Sequence, residues 1–291
     1  MSTLETVLLV CAAILPAVAL CVYVFKKDRV EKEPIGLLLA LFFLGAVICY
    51  PCAEIEKLLH VALDDIFTPF AVLYEGQLYL QGTTSTIYSL CQNIICIALI
   101  EEGFKFLVLF FVTKDNKNFN SLFDGLIYAV FVSLGFAAFE NIFYVISNGW
   151  ANAAARALTA VPGHMFDAVF MGYFYSFWHV YKKAQHKEAK LAAANLINKS
   201  NLGFPVKSYL LYAIVVPVLT HGLYDYYFSL GTVESFIKGI VLLIILYAVC
   251  FIRIRKMSSA DQGDSEFATK LIIKKYPFLS DDAYIQIIGE E

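Results

Sequence analysis

Residues 122–147 read LFDGLIYAVFVSLGFAAFENIFYVIS, a run in which only Asp124 and Glu140 are charged. An apolar stretch of this length, without the period-two alternation of a strand, is what a helix needs to cross about 30 Å of hydrocarbon at about 1.5 Å per residue. Lipid supplies no hydrogen bonds, so a spanning segment must satisfy its backbone internally, and the helix does so within itself. The same run carries Glu140 well inside its apolar part. An ionisable group there costs at least about 2.5–3.5 kcal/mol, so such a residue faces protein or water and as a rule serves a function.

Working outward, similar runs occupy 4–25, 35–53, 87–112, 158–181, 209–230 and 236–252. With 59% hydrophobic and 16% charged residues, and a mean hydropathy of +0.67, the composition excludes an ordinary soluble domain. The expected fold is an all-α polytopic membrane helix bundle with about seven transmembrane helices. The first run is preceded by Glu5 and followed by Lys26, Lys27, Arg29 and Lys32, the reverse of a secretory signal, and reads as a retained anchor. Loops 26–33, 113–121, 182–208 and 253–257 hold 15 lysines and arginines, whereas the alternate loops hold only Lys57 and Arg156. The positive-inside rule then places the N-terminus outside and the C-terminus in the cytoplasm.

The intervening segments leave little room for a second folded unit. Residues 54–86 read as an external, aromatic-rich loop, 148–156 as a short external loop, 182–208 as a cytoplasmic loop with a short helix, and 258–291 as a polar tail. There is no tandem repeat and no glycine-rich phosphate loop, and the basic residues sit where topology requires them, so nucleic-acid binding has no support. The pair Cys49 and Cys52 is a lone C-x-x-C, and buried inert cysteine is its default reading. Arg156 reads as an interfacial anchor.

Four places break the apolar rule: Glu101-Glu102-Gly103-Phe104-Lys105, Phe136-Ala137-Ala138-Phe139-Glu140-Asn141, His164-Met165-Phe166-Asp167 and His221-Gly222-Leu223-Tyr224-Asp225. Glu101 and Lys105 share a helix face, with Glu102 turned away from it. Asp225 can accept the second N–H of His221 and fix its tautomer, and Asp167 can do the same for His164. Counted from the outer ends of their spans, Glu140 lies about 10 Å deep, His164 about 9 Å, His221 about 13 Å and Glu101 about 21 Å. One cluster in the outer half of the membrane is therefore geometrically permitted. Imidazole and carboxylate together suit Zn²⁺, and a spare carboxylate beside it suits a general base. No H-E-x-x-H helix is present. A proton- or ion-coupled transporter with a Glu/His relay is the alternative reading, and a non-catalytic scaffold locked by interhelical polar contacts is a third.

In this order on successive helices, the Glu-Glu-x-x-Lys, Phe-x-x-x-Glu-Asn, His164 and His-x-x-x-Asp elements resemble the PrsW-type intramembrane proteases. Broader relatives of that group are the CAAX prenyl endopeptidases and bacteriocin-processing enzymes. The resemblance covers about residues 95–230, within an expected membrane protease domain of 1–257. It implies a multi-pass endopeptidase of the bacterial cytoplasmic membrane. Such an enzyme cuts a membrane-anchored protein near the outer face, in PrsW itself an anti-sigma factor. By motif, Glu101, Glu102 and His221 are the expected catalytic residues. The working assignment gives Glu140, His164 and His221 to the metal, with Lys105, Asn141 and Asp225 in support. Glu140 stands where the CAAX enzymes carry a histidine.

Overall fold

The computed structural model describes residues 2–198 and 201–280. The last part of the expected tail, 281–291, and residues 199 and 200 of the expected cytoplasmic loop lie outside the described residues. The elements in chain order are α1 (Thr3–Lys27), α2 (Ile35–Phe67), β1 (Val72–Tyr74), β2 (Gln77–Tyr79) and α3 (Gly82–Leu90). A π-helical segment (Cys91–Ala98) leads into α4 (Leu99–Thr113). Then come α5 (Asp124–Leu158), α6 (Ala160–Ala193), α7 (Gly203–Ser229), α8 (Val233–Ser259) and α9 (Asp264–Lys275). The molecule is an all-α membrane helix bundle, and among the described residues its strands amount to one two-stranded antiparallel hairpin.

Among the described residues, five helical tracts are long and apolar enough to cross a membrane: Thr3–Lys27, Ile35–Phe70, Asp124–Ala193, Gly203–Ser229 and Val233–Ser259. The third joins α5 and α6 end to end. The sequence interval 87–112 falls on α3, the π-helical segment and α4, where Glu101, Glu102 and Lys105 interrupt the apolar run.

At the centre stands α5, buried on every side from Asp124 to Ala138, as expected of a helix with no lipid face. It packs against α1, α2 and α6, while α6 goes on to contact α7, α8 and α9. Glycines let the backbones touch: a Cβ on Gly45 of α2 would lie 1.9 Å from the Val132 carbonyl oxygen of α5, and one on Gly172 of α6 would lie 2.5 Å from Leu126 Cα. Close approach through small residues replaces the hydrophobic drive that lipid-embedded helices lack. The lipid-facing surface is apolar, with Phe43, Val47, Phe111, Ile244 and Ile252 exposed.

Two expected loops are mostly helix instead. Helix α2 runs on past 53 to Phe67, because Glu54, Glu56 and Lys57 end the apolar run without ending the backbone hydrogen bonding. The expected loop 148–156 continues α5 after a break at Gly149, whose φ of +72° only glycine adopts without strain. The short helix expected within 182–208 is the end of α6, which runs on to Ala193.

The described part of the tail, up to residue 280, packs on the bundle. Its α9 lies along α6, where Asp264 accepts from His179 Nε2 at 3.0 Å and from Lys183 Nζ at 2.9 Å. Asp124, the first residue of α5, accepts from the backbone N–H groups of Asn120 and Ser121 at 2.9 and 2.6 Å and so holds the turn that leads into the helix rather than capping its first N–H groups.

Candidate active site

The π-helical segment shapes the site first. Wider than an α-helix, it brings Ile94 and Asn93 against Gly222 of α7, where a Cβ would lie 2.7 Å from Ile94 Cγ1 and 2.9 Å from Ile94 Cα. Such bulges concentrate at functional sites because they re-aim the residues that follow. Here those residues are Glu101 and Glu102, and the neighbour of Gly222 is His221.

The four motifs meet. His164 and His221 face each other edge to face with ring centroids 5.4 Å apart. One ligand atom each from Glu101, Glu102, His164 and His221 falls within 4.8 Å of the others, and all four residues are buried. Lys105 Nζ lies 3.0 Å from Glu101 Oε2, 2.7 Å from Glu102 Oε1 and 3.2 Å from His164 Nδ1. It also sits 4.1 Å from the centre of the Phe136 ring. Glu102 therefore does not point away from Lys105: at i,i+3 it reaches the ammonium as Glu101 does from i,i+4.

The two imidazoles are held alike. His164 has Nε2 3.1 Å from Glu140 Oε2, leaving Nδ1 facing Lys105 and the carboxylates. His221 has Nε2 3.1 Å from Asp225 Oδ2 and Nδ1 2.9 Å from Glu102 Oε1. In both, an outer carboxylate takes one ring nitrogen and turns the other inward, the arrangement that fixes a metal-ligating histidine. The backbone carbonyl of His164 also accepts from Ser133 Oγ at 2.8 Å.

Glu140 lies outside the four-residue group. Arg156 Nη2 holds its Oε2 at 2.7 Å, and Arg156 Nε donates to Asn141 Oδ1 at 2.7 Å. Asn141 faces α1 rather than the cluster, donating from Nδ2 to the Ala13 carbonyl at 3.0 Å. Asp167 accepts from Thr220 Oγ1 at 2.5 Å and makes no bond to His164. Cys49 and Cys52 are buried free thiols.

A cavity of about 590 Å³ opens beside these groups, and Glu101, Glu140, His164 and His221 all line it. So do Arg156 and Glu56, which the sequence reading leaves in interfacial or loop positions. A charge one or two turns beyond an apolar run was the available signal for Glu56. For Arg156 it was the helix-compatible stretch after Gly149.

The residues present fit a divalent cation. Glu102 is fully buried, yet its Oε2 has no hydrogen-bond partner among the described residues, a costly state for a carboxylate oxygen. Two imidazoles with inward-turned nitrogens and two carboxylates form a hard-to-borderline donor set of the kind zinc takes.

A helical bundle that buries paired glutamates and histidines beside a polar cavity suits a membrane-embedded hydrolase, as it would an ion relay. Residues 33–253 match the PrsW family intramembrane metalloprotease, and the chain belongs to that family. The Protease PrsW of Oceanobacillus iheyensis is 33% identical over 215 residues, 74% of this chain and 80% of that protein. The Protease PrsW of Geobacillus kaustophilus is 28% identical over 252 residues, 87% of this chain and 92% of its own length. That of Bacillus subtilis is 29% identical over 221 residues, covering 75% and 81%. No solved structure matches the chain. The protein is thus a multi-pass intramembrane protease, and the family favours hydrolysis over an ion relay.

Proposed function

We propose that the protein hydrolyses a peptide bond in a membrane-anchored protein near the outer face of the bacterial cytoplasmic membrane. In this reading about seven helices span the bilayer, with the N-terminus outside and the C-terminus cytoplasmic. An anti-sigma factor is the substrate class that the resemblance brings. The carrying observation is that Glu101, His164 and His221, from three different helices, line one cavity.

Glu102, His164 and His221 would hold Zn²⁺, the last two through nitrogens kept inward by Glu140 and Asp225. When bound, the zinc supplies Lewis-acid polarisation and lowers the pKa of water towards about 7. Glu101 lines the cavity whereas Glu102 is sealed behind it, so Glu101 is the general base. Its carboxylate takes a proton from water as the oxygen adds to the scissile carbonyl carbon. The same proton passes to the amide nitrogen as the C–N bond breaks, leaving a carboxylic acid and an amine. Lys105 holds both glutamates in place and offsets their charge. Glu140, expected from sequence to be a ligand, is assigned here to orienting His164, because Arg156 already engages it.

Reconstitution into proteoliposomes with bacterial membrane proteins, read as new N-termini by mass spectrometry, tests the reading. Alanine at Glu101, Glu102 or His221 should each lower cleavage by about 10²-fold or more, and the purified wild type should contain zinc that chelation removes. Undiminished cleavage in all three variants would end the proposal.

A further inference from the structure

On α2, Glu56, His60 and Asp64 are spaced four apart and so share one face. Ser85 and Ser89 of α3 and Asn93 of the π-helical segment repeat the same spacing. The two ladders look at each other: Glu56 and Asn93 line the catalytic cavity, while Asp64, Ser85 and Ser89 line a second cavity of about 520 Å³. Tyr88 Oη donates to Asp64 Oδ1 at 2.6 Å across the gap. Asn93 Nδ2 donates to the Ser89 carbonyl at 2.7 Å, so the cavities stand one helical turn apart. Glu56 Oε1 and His60 Nε2 are buried side-chain atoms without a hydrogen-bond partner among the described residues, aligned along this seam.

We propose that the seam between α2 and α3 is the subsite for an extended, basic segment of the substrate flanking the cut. The inference rests on the hydrolytic reading above and adds the class of sequence that the enzyme takes. Charge argues for the occupant: the outer cavity contains Asp64 and no lysine or arginine, and Glu56, which lines the catalytic cavity with Arg156, has no cationic partner within ion-pair distance among the described residues. Conformation argues for it as well. Leu78 and Tyr79 line the outer cavity at the end of β2, and the outer edges of the β1–β2 hairpin are unpaired among the described residues. A strand edge adds an extended peptide through main-chain hydrogen bonds, and hydrolysis requires an unwound chain. The segment would enter along the hairpin, pass Asp64 and His60, and present a lysine or arginine to Glu56 beside the catalytic groups.

The test uses the full chain in nanodiscs of uncharged phosphatidylcholine, with His60→Cys and, separately, Ser89→Cys, and Ser85→Cys as a further site should either misfold. Site-resolved mass spectrometry reads modification by a cationic (trimethylammonium) and an anionic (sulfonate) methanethiosulfonate. Relative to their rates with a free thiol in solution, the cationic reagent should be favoured about tenfold, and Glu56→Gln with Asp64→Asn should abolish that excess. A decapeptide of alternating lysine and alanine should slow labelling about tenfold, and a glutamate–alanine decapeptide should not. Labelling no faster than at lipid-facing Phe43→Cys overturns the subsite, as does labelling that the lysine peptide leaves unprotected. Protection that persists in a preparation cleaving nothing would strike the hydrolytic reading and leave the subsite standing.

Discussion

At the scale of single residues, the informative contrast is between groups at the centre and groups that aim them. Glu140 and Asp225 each hold an imidazole Nε2 at 3.1 Å, and loss of such outer partners costs about 10–100-fold in metal affinity or activity. Glu140→Gln and Asp225→Asn should therefore weaken zinc binding by matching amounts, measured by competition with a chromophoric chelator. Complete loss of zinc in Glu140→Gln alone would restore Glu140 as a ligand. Much of this was legible beforehand, since charge inside an apolar run marks Glu101, Glu102, Glu140, His164 and His221 without any coordinates. The facing of Glu102 was not. Helical spacing gives an angle for Cβ, but a lysine side chain is long enough to reach two carboxylates from one position.

Between residue and bundle, the elements decide how closely the motifs approach. Gly222 lets α7 lie on the π-helical segment, and a Cβ there would meet the Ile94 backbone at 2.9 Å. Gly222→Ala should push the two apart, costing about 1–3 kcal/mol of stability. It should lower turnover by about 10²-fold through displacement of His221. Gly36→Ala, with nothing within 4 Å, is the control that should change neither. Proteolysis rate and thermal midpoint, measured together, separate the two effects. Element ends were the least legible feature. Hydropathy records the solvent outside a helix, not the hydrogen bonding within it, so α2 was expected to stop near 53 although its backbone continues to Phe67. That misplacement hid Glu56, and the same cause hid Arg156 beyond Gly149.

For the whole molecule, α9 fastens the C-terminal side to α6. Burial raises the Asp264 pKa, but the hydrogen bonds from His179 and Lys183 and the Lys183 charge outweigh it, and the carboxyl is held below the usual aspartate range. A depressed folded-state pKa gives stability that is fully present above the unfolded value of about 3.9 and is lost as pH falls through the folded one. Asp264→Asn should therefore lower stability by about 1.5–3 kcal/mol at pH 7, and the gap to wild type should narrow as pH drops below about 3.9. Hydrogen exchange across 264–275 and thermal scans at both pH values provide the measurement. Lys105 has a consequence at this scale too. Its ammonium gives the carboxylates a counter-charge that travels with the polypeptide, so the helices can close around them as soon as they are inserted. Folding is therefore expected to proceed without an ion, the opposite of a zinc finger, whose chain stays unfolded until its metal arrives.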